Sequence, residues 1–248
     1  VIGTWASAIQ FVPAIAGQVS QLSVFQRSAA YILPRPDGPY AGWRKAMFKH
    51  LPWTMALHRA RIYAQYEGRA LAFIRIKALM ALAGGLPFKK LLHRQVPDAG
   101  LRARLTPDYP IGCKRILLSN EYLATMVKPN VNLVTQGIRR ITADGIETTD
   151  GQHHAVDAII YGTGFAATEF LAPMTITGRD GRELNDVWCQ GAQAYLGMTV
   201  PGFPNFFMIH GPMTPAAQAQ MITSGEWQVN WTAGVIADME RDGYTRID

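Results

Sequence analysis

The chain of 248 residues predicts an α/β fold wound on a parallel sheet. Three observations predict it. Short apolar runs rich in Val and Ile alternate with longer stretches of helical spacing. The first run, Val1-Ile2, passes through Gly3 directly into a helical pattern. A second run, Asp157-Ala158-Ile159-Ile160-Tyr161, ends on Gly162-Thr163-Gly164-Phe165, so two apolar strands end in glycine turns. Composition agrees: 48% hydrophobic and 17% charged residues suit a packed domain and exclude a disordered chain.

Taken in order, residues 1–34 read as a strand end, a turn, a helix from Ser7 to about Val19, and a strand at Leu22-Ser23-Val24-Phe25. Pro34-Arg35-Pro36-Asp37-Gly38-Pro39 is a rigid breaker. It opens a helical zone, residues 35–111, in which Leu71, Ile74, Ala78 and Leu82 fall on one face. Short strands return at Arg115–Leu118, Val131–Thr135, Ile138–Thr142 and Val156–Tyr161, with turns at Asp144-Gly145 and Asp150-Gly151. Residues 161–248 carry a Gly-rich loop, a strand from Phe206 to His210 and a long closing helix. Thr214 is the expected cap of that helix and Pro215 its first residue. Trp188, Trp227 and Trp231 are expected in the core, the last two stacked four apart on the closing helix.

The net charge of +6 is unevenly spread, because residues 35–111 hold 14 Lys and Arg against four acids. Such a segment can attract phosphates, nucleic acid or an anionic membrane surface. The preferred reading is plainer: long basic side chains lay their stems on apolar helix faces and keep their heads wet. No nucleic-acid partner is expected, and membrane-surface contact is a minor alternative. Arg75 and Lys77, then Gly84, Gly85 and Pro87, interrupt the apolar stretch from Ala70 to Phe88, which argues against a transmembrane helix. Two cysteines, Cys113 and Cys189, offer no disulfide framework and suit a reducing, cytoplasmic location. The six histidines are scattered, so no metal site is expected.

The chemistry lies in the turns. In the pattern G-x-G-x-x-[G/A], the first glycine makes a tight turn, the second admits a pyrophosphate to the backbone, and the third packs helix on strand. Gly3 and Ala8 hold the first and third positions, and Trp5 holds the second. An indole there obstructs a pyrophosphate unless it swings outward. Arg27 follows the second strand, where an acid would read a ribose 2′-hydroxyl. A guanidinium suits a 2′-phosphate instead, which favours NADPH. Read by itself, Arg115 is a strand-end arginine paired with a carboxylate.

In order along the chain, several segments resemble the flavoprotein monooxygenases of the Baeyer–Villiger type, relatives of the flavin-containing monooxygenases. Gly3-Thr4-Trp5-Ala6-Ser7-Ala8-Ile9-Gln10 resembles the family's NADPH-side glycine motif, with Trp5 replacing glycine. Val24-Phe25-Gln26-Arg27-Ser28 resembles the strand ending on the 2′-phosphate-reading arginine, and Gly112-Cys113-Lys114-Arg115 the lysine–arginine pair of the active site. Asp157 to Phe165 is similar to the family's A-T-G-F linker, with Gly162 in place of alanine. Ala194-Tyr195-Leu196-Gly197-Met198, Pro201-Gly202-Phe203-Pro204-Asn205 and Gly211-Pro212-Met213-Thr214-Pro215 are similar to further family motifs.

The resemblance implies a Rossmann-like NADPH-binding domain (residues 1–34 and 112–160), a helical insert (35–111) and the C-terminal part of an FAD-binding Rossmann domain (161–248). It implies FAD and NADPH as cofactors, and a reaction that places one oxygen atom of O2 into a ketone through a C4a-peroxyflavin, or onto a sulfide. It implies Arg115 as the catalytic cation. Cofactor contacts are expected at Gly3, Thr4, Ala6, Ser7, Ala8, Gln10, Arg27, Lys114, Thr163, Gly164 and Phe165, and a substrate wall at Met213, Thr214, Gln218 and Met221. The family's N-terminal FAD motif and its F-x-G-x-x-x-H-x-x-x-W fingerprint are not in this sequence, and Val1 begins inside a strand. The chain is therefore expected to be the central and C-terminal part of a protein about twice as long, dependent on an FAD-binding half. The alternatives are an N- or S-hydroxylating flavin monooxygenase and a degenerate, non-catalytic nucleotide-binding or interaction protein.

Overall fold

The structure is a computed structural model that describes residues 1–74, 81–166, 169–214 and 221–248, with no side-chain description at 69–74, 81 and 83. It forms two compact units, Val1–Gly164 and Phe165–Asp248.

The first unit is built on parallel strands. Strand β1 (Leu22–Phe25) pairs in parallel with β4 (Val131–Val134), Leu22 opposite Val131. Ile2 bridges both Phe25 and Tyr161 in parallel, giving the order Tyr161, Ile2, β1, β4. Helix α1 (Ala8–Ile15) packs on this sheet through Ala8, Ile9 and Val12, all buried, as the apolar spacing of its sequence requires. It ends at Ile15, short of the expected Val19, because the Asn130 side-chain amide donates to the carbonyls of Ala16 (2.7 Å) and Val19 (3.0 Å) and captures the chain there.

A second parallel pair joins β2 (Ile32–Leu33) to β3 (Leu117–Leu118), and the helical insert leaves from one strand and returns on its neighbour. Asn120 latches the exit, accepting from the Arg35 N–H and donating to the Arg35 carbonyl, each at 3.0 Å. The insert contains α2 (Gly42–His50), α3 (Pro52–Ile74), a π-helical turn (Ala81–Gly85) running into α4 (Leu86–Gln95), and α5 (Ala99–Arg104). Asp98 caps α5 by accepting from Leu101 N–H at 2.6 Å. Phe88, Leu91 and Leu92 of α4 enter the core with Ile32, Leu117 and Tyr122 of the short helix α6 (Tyr122–Thr125).

Helices α2 and α3 depart from expectation. Their large apolar side chains are mostly exposed, including Trp43, Trp53, Leu57 and Tyr63, and no residue of α2 is buried. The Arg44 guanidinium sits over the rings of Trp43 (5.4 Å) and Tyr40 (5.8 Å), a basic side chain laid on exposed apolar surface. Of the expected face at Leu71, Ile74, Ala78 and Leu82, Ala78 lies outside the described residues and Leu82 is exposed.

An antiparallel meander, β5 (Ile138–Ile141), β6 (Gly145–Thr148) and β7 (His153–Ala155), completes the first unit. The expected strand Val156–Tyr161 is reduced to the single bridge at Tyr161, since the chain spends residues 153–155 pairing with β6 instead.

The second unit packs Leu184, Trp188, Val200, Phe203 and Met208 around the short helix α7 (Leu184–Val187). The expected strand Phe206–His210 is not formed. The Met208 N–H donates to Met198 O at 2.8 Å, and His210 takes a positive φ of 56°, so the segment turns instead of extending. The closing helix α8 is described over Met221–Asp242, and the residues after Thr214 up to Gln220 lie outside the description. Trp188 is buried as expected, but Trp227 is 70% exposed and Trp231 is 37% exposed, because no residue of α8 is buried in this unit. Among the described residues, no helix is long and apolar enough to cross a membrane. Among the described residues, no group of three or more His, Cys, Asp or Glu is placed to hold a metal ion.

Candidate functional site

The turn from Ile2 into α1 crosses the end of the strand at Tyr161. Gly3 has φ +109°, and a Cβ added there would lie 2.2 Å from the Gly162 carbonyl oxygen. Only glycine meets both conditions. Gly162 N–H donates to Ile2 O at 2.7 Å, so the two glycine segments are hydrogen-bonded to each other. Ala8 is fully buried, and its Cβ lies 3.5 Å from where a Cβ on Gly162 would be, which is why a small residue stands there.

Beyond the turn, Ile9 N–H bonds to Trp5 O, and both Gln10 and Phe11 bond to Ser7 O. Among the described residues the N–H groups of Ala6, Ser7 and Ala8 have no backbone acceptor, and the first turn of α1 carries no acid. These orphan donors at the positive end of the helix form a local field that favours an anion. Gln10 turns its amide back onto Ala6 O at 2.9 Å.

Trp5 is half-buried against the core cluster of α1, and its ring centroid lies 5.9 Å from Lys114 Nζ. Lys114 Nζ also lies 4.4 Å above the Tyr109 ring and 3.4 Å from Ser28 Oγ, which follows Arg27 at the end of β1. Thr4 is buried and donates to Ser28 O at 3.3 Å, tying the turn to the same strand end. Tyr109 is locked in place. Its hydroxyl donates to Ala29 O and its carbonyl accepts from the Tyr31 hydroxyl, each at 2.9 Å, while burial, with help from Tyr31, raises its phenol pKa. Arg27 and Arg115 are exposed, and neither has an ion-pair partner among the described residues, so Arg115 is not the carboxylate-paired arginine of the plainer reading. Sequence reasoning missed Tyr109 and Ser28; no local signal marks them, since only tertiary packing brings residues 5, 28, 109 and 114 together.

At the end of the first unit, Gly164 has φ +89°, and Phe165, which begins the second, is 99% exposed. In the second unit the loop at Gly211-Pro212-Met213-Thr214 is clamped to another loop by Gly211 N–H donating to Gly197 O at 3.0 Å. Thr214 Oγ1 donates to Gly211 O at 2.6 Å. Met213 is 73% exposed, Met221 is exposed with its carbonyl 2.9 Å from His210 Nε2, and Gln218 lies outside the described residues. A cleft among the described residues of this unit is lined by Tyr195, Phe203, Phe206, Phe207 and Trp231, and the described members of the expected substrate wall, Met213, Thr214 and Met221, do not line it.

No protein-family model matches the chain. It is 41% identical over 241 residues to a Baeyer-Villiger monooxygenase of Pseudomonas aeruginosa, a match covering 97% of this chain and 46% of that protein. An oxidized steroid monooxygenase bound to NADP is 32% identical with a TM-score of 0.79, covering 98% of this chain and 53% of that one. OTEMO in complex with FAD and NADP is 26% identical, also with a TM-score of 0.79, covering 99% and 52%. The chain thus spans about half the length of the curated relatives it matches.

Proposed function

We propose that this chain, a homologue of the Baeyer–Villiger flavin monooxygenases over nearly all its residues, serves a reaction in which a ketone, O2, NADPH and a proton give an ester, NADP+ and water. The observation that carries this reading is a likeness in sequence and fold that spans nearly all of this chain and about half of such enzymes. The strand-end cations, and an exposed Arg115 with no ion-pair partner among the described residues, support it.

The residues fit the two cofactors unequally. At a nicotinamide dinucleotide's 2′-phosphate, Arg27, Lys114 and Ser28 offer two cations and a hydroxyl. At its pyrophosphate, the free N–H groups of Ala6, Ser7 and Ala8 suit an anion, but Trp5 stands where close approach needs glycine. The turn therefore does not fit a dinucleotide bound in the usual way. For FAD, Thr163 and Gly164 suit a flat partner, because Gly164 presents no side chain to it. Bound flavin would supply the activation of O2.

Arg115 would then hold a developing oxyanion on the ketone. A guanidinium keeps its proton at any working pH, and no carboxylate among the described residues neutralises this one. Met213, Thr214, Gln218 and Met221 are proposed to shape the substrate wall, with methionines giving an adaptable apolar surface. A sulfide in place of the ketone is a variant of the same reading, since its oxygenation needs no oxyanion partner.

The test is incorporation of one 18O atom from labelled O2 into ester by the flavin-loaded protein with NADPH and a ketone panel. Arg115→Ala is expected to lower product formation by about a hundredfold or more, the cost of removing a single oxyanion donor, with NADPH binding unchanged. Flavin-loaded protein that yields no labelled product from ketones or sulfides would favour the second reading, a nucleotide-binding or interaction protein without turnover. Trp5 is the observation that supports that alternative.

A further inference from the structure

We infer that Trp5 and Tyr109 hold Lys114 in an aromatic cage that competes with a nucleotide 2′-phosphate, so that Trp5 sets cofactor discrimination as well as turn shape. The inference rests on the proposed NADPH reading. Lys114 Nζ lies 4.4 Å from the Tyr109 centroid and 5.9 Å from the Trp5 centroid, both within the range at which a ring face attracts a cation. Its hydrogen-bond partner is Ser28 Oγ at 3.4 Å, and it has no carboxylate partner among the described residues.

The cage is built, because each wall is fixed independently of the lysine. Two hydrogen bonds and the Tyr31 ring, edge-on at 5.7 Å, lock Tyr109. Trp5 is packed against the core of α1, and its neighbour Thr4 is bonded to Ser28 O. Trp5 therefore spans the ground between the helix turn and the strand-end cations, where a ribose and its 2′-substituent would pass in a strand–turn–helix site. Arg27 is exposed and makes no such contact among the described residues. One indole thus acts twice: its bulk opposes any dinucleotide at the turn, and its π-face draws off the lysine that would recognise the 2′-phosphate.

These two actions separate in a titration. Bulk alone weakens NADH and NADPH equally, whereas the cage weakens NADPH specifically. Kd values for both nucleotides are measured by cofactor fluorescence on the full 248-residue chain, wild type, Trp5→Leu and Trp5→Gly, each also in a Lys114→Met background. Leucine keeps the apolar packing and removes the ring, so it guards against loss of fold. The ratio Kd(NADH)/Kd(NADPH) is expected to rise about three- to tenfold in Trp5→Leu and in Trp5→Gly, and not at all once Lys114 is methionine. An unchanged ratio in both variants, with NADH binding improved in Trp5→Gly, would overturn the cage and leave only bulk. Binding of neither nucleotide by folded wild type, Trp5→Leu or Trp5→Gly would overturn the NADPH reading itself, and the cage with it.

Discussion

Replacing Gly3 by alanine tests the glycine crossing on which the candidate site is built. The added Cβ would sit 2.2 Å from Gly162 O and 2.7 Å from Gly162 C, so a backbone, not a flexible side-chain tip, must move by about an ångström to reach ordinary contact. That movement breaks the 2.7 Å bond from Gly162 N–H to Ile2 O and strains the 2.9 Å bond from Ile2 N–H to Ile160 O, each worth about 1 kcal/mol net. The φ of +109° costs an L-residue about 1–3 kcal/mol more. Together these come to about 3–5 kcal/mol, a large part of the stability of one domain. Gly151→Ala is the matched control: its φ is +83°, but nothing lies within 4 Å of the added Cβ, so only the conformational cost of about 1–2 kcal/mol remains. Urea unfolding of the full chain, followed by far-UV circular dichroism, reads both variants. Equal destabilisation by Gly3→Ala and Gly151→Ala would refute the crossing and reduce Gly3 to an ordinary turn residue.

Two further outcomes follow from burial and charge. Tyr122 is 1% exposed, its hydroxyl has no hydrogen-bond partner among the described residues, and burial raises its pKa far above the ordinary phenol value; Tyr122→Phe is expected to stabilise by about 1 kcal/mol, and a lowered Tm would refute it. In the meander, the Thr142 hydroxyl lowers the Asp144 pKa, the Arg140 guanidinium that of Glu147, and the Thr148 hydroxyl that of Asp150. Folded values lie below unfolded ones, so their contribution is full above the usual carboxylate range and is lost as pH falls through the folded values, below about 4. Thermal unfolding scanned downward from neutral pH checks the sign, and a Tm unchanged or rising below about pH 4 would contradict it.

Much of the parallel core was legible because its constraints are local. Gly3 and Ala8 stand five residues apart and carry their reasons with them: one crosses a backbone, the other packs beneath it. The failures share a different cause. Periodicity tells which residues lie on one face, but not what covers that face. Trp227 and Trp231 do share a side of α8, yet both are exposed, and the aromatic residues of α2 and α3 repeat the case. Phe206 to His210 has the apolar density of a strand, but a strand needs a free neighbouring edge, and Met198 instead draws Met208 into a turn. At the candidate site the same limit decides what can be read. Arg27 and Lys114 are nameable from the motifs around them, whereas the groups touching Lys114 come from residues 5, 28 and 109, distant in sequence. Trp5 stands out in the sequence as an obstruction within a glycine motif; only packing reveals that the obstruction is also a cation's partner. A substitution that breaks a local rule is therefore best judged by the new contacts it makes, and here those contacts lead to the one lysine at the end of β1.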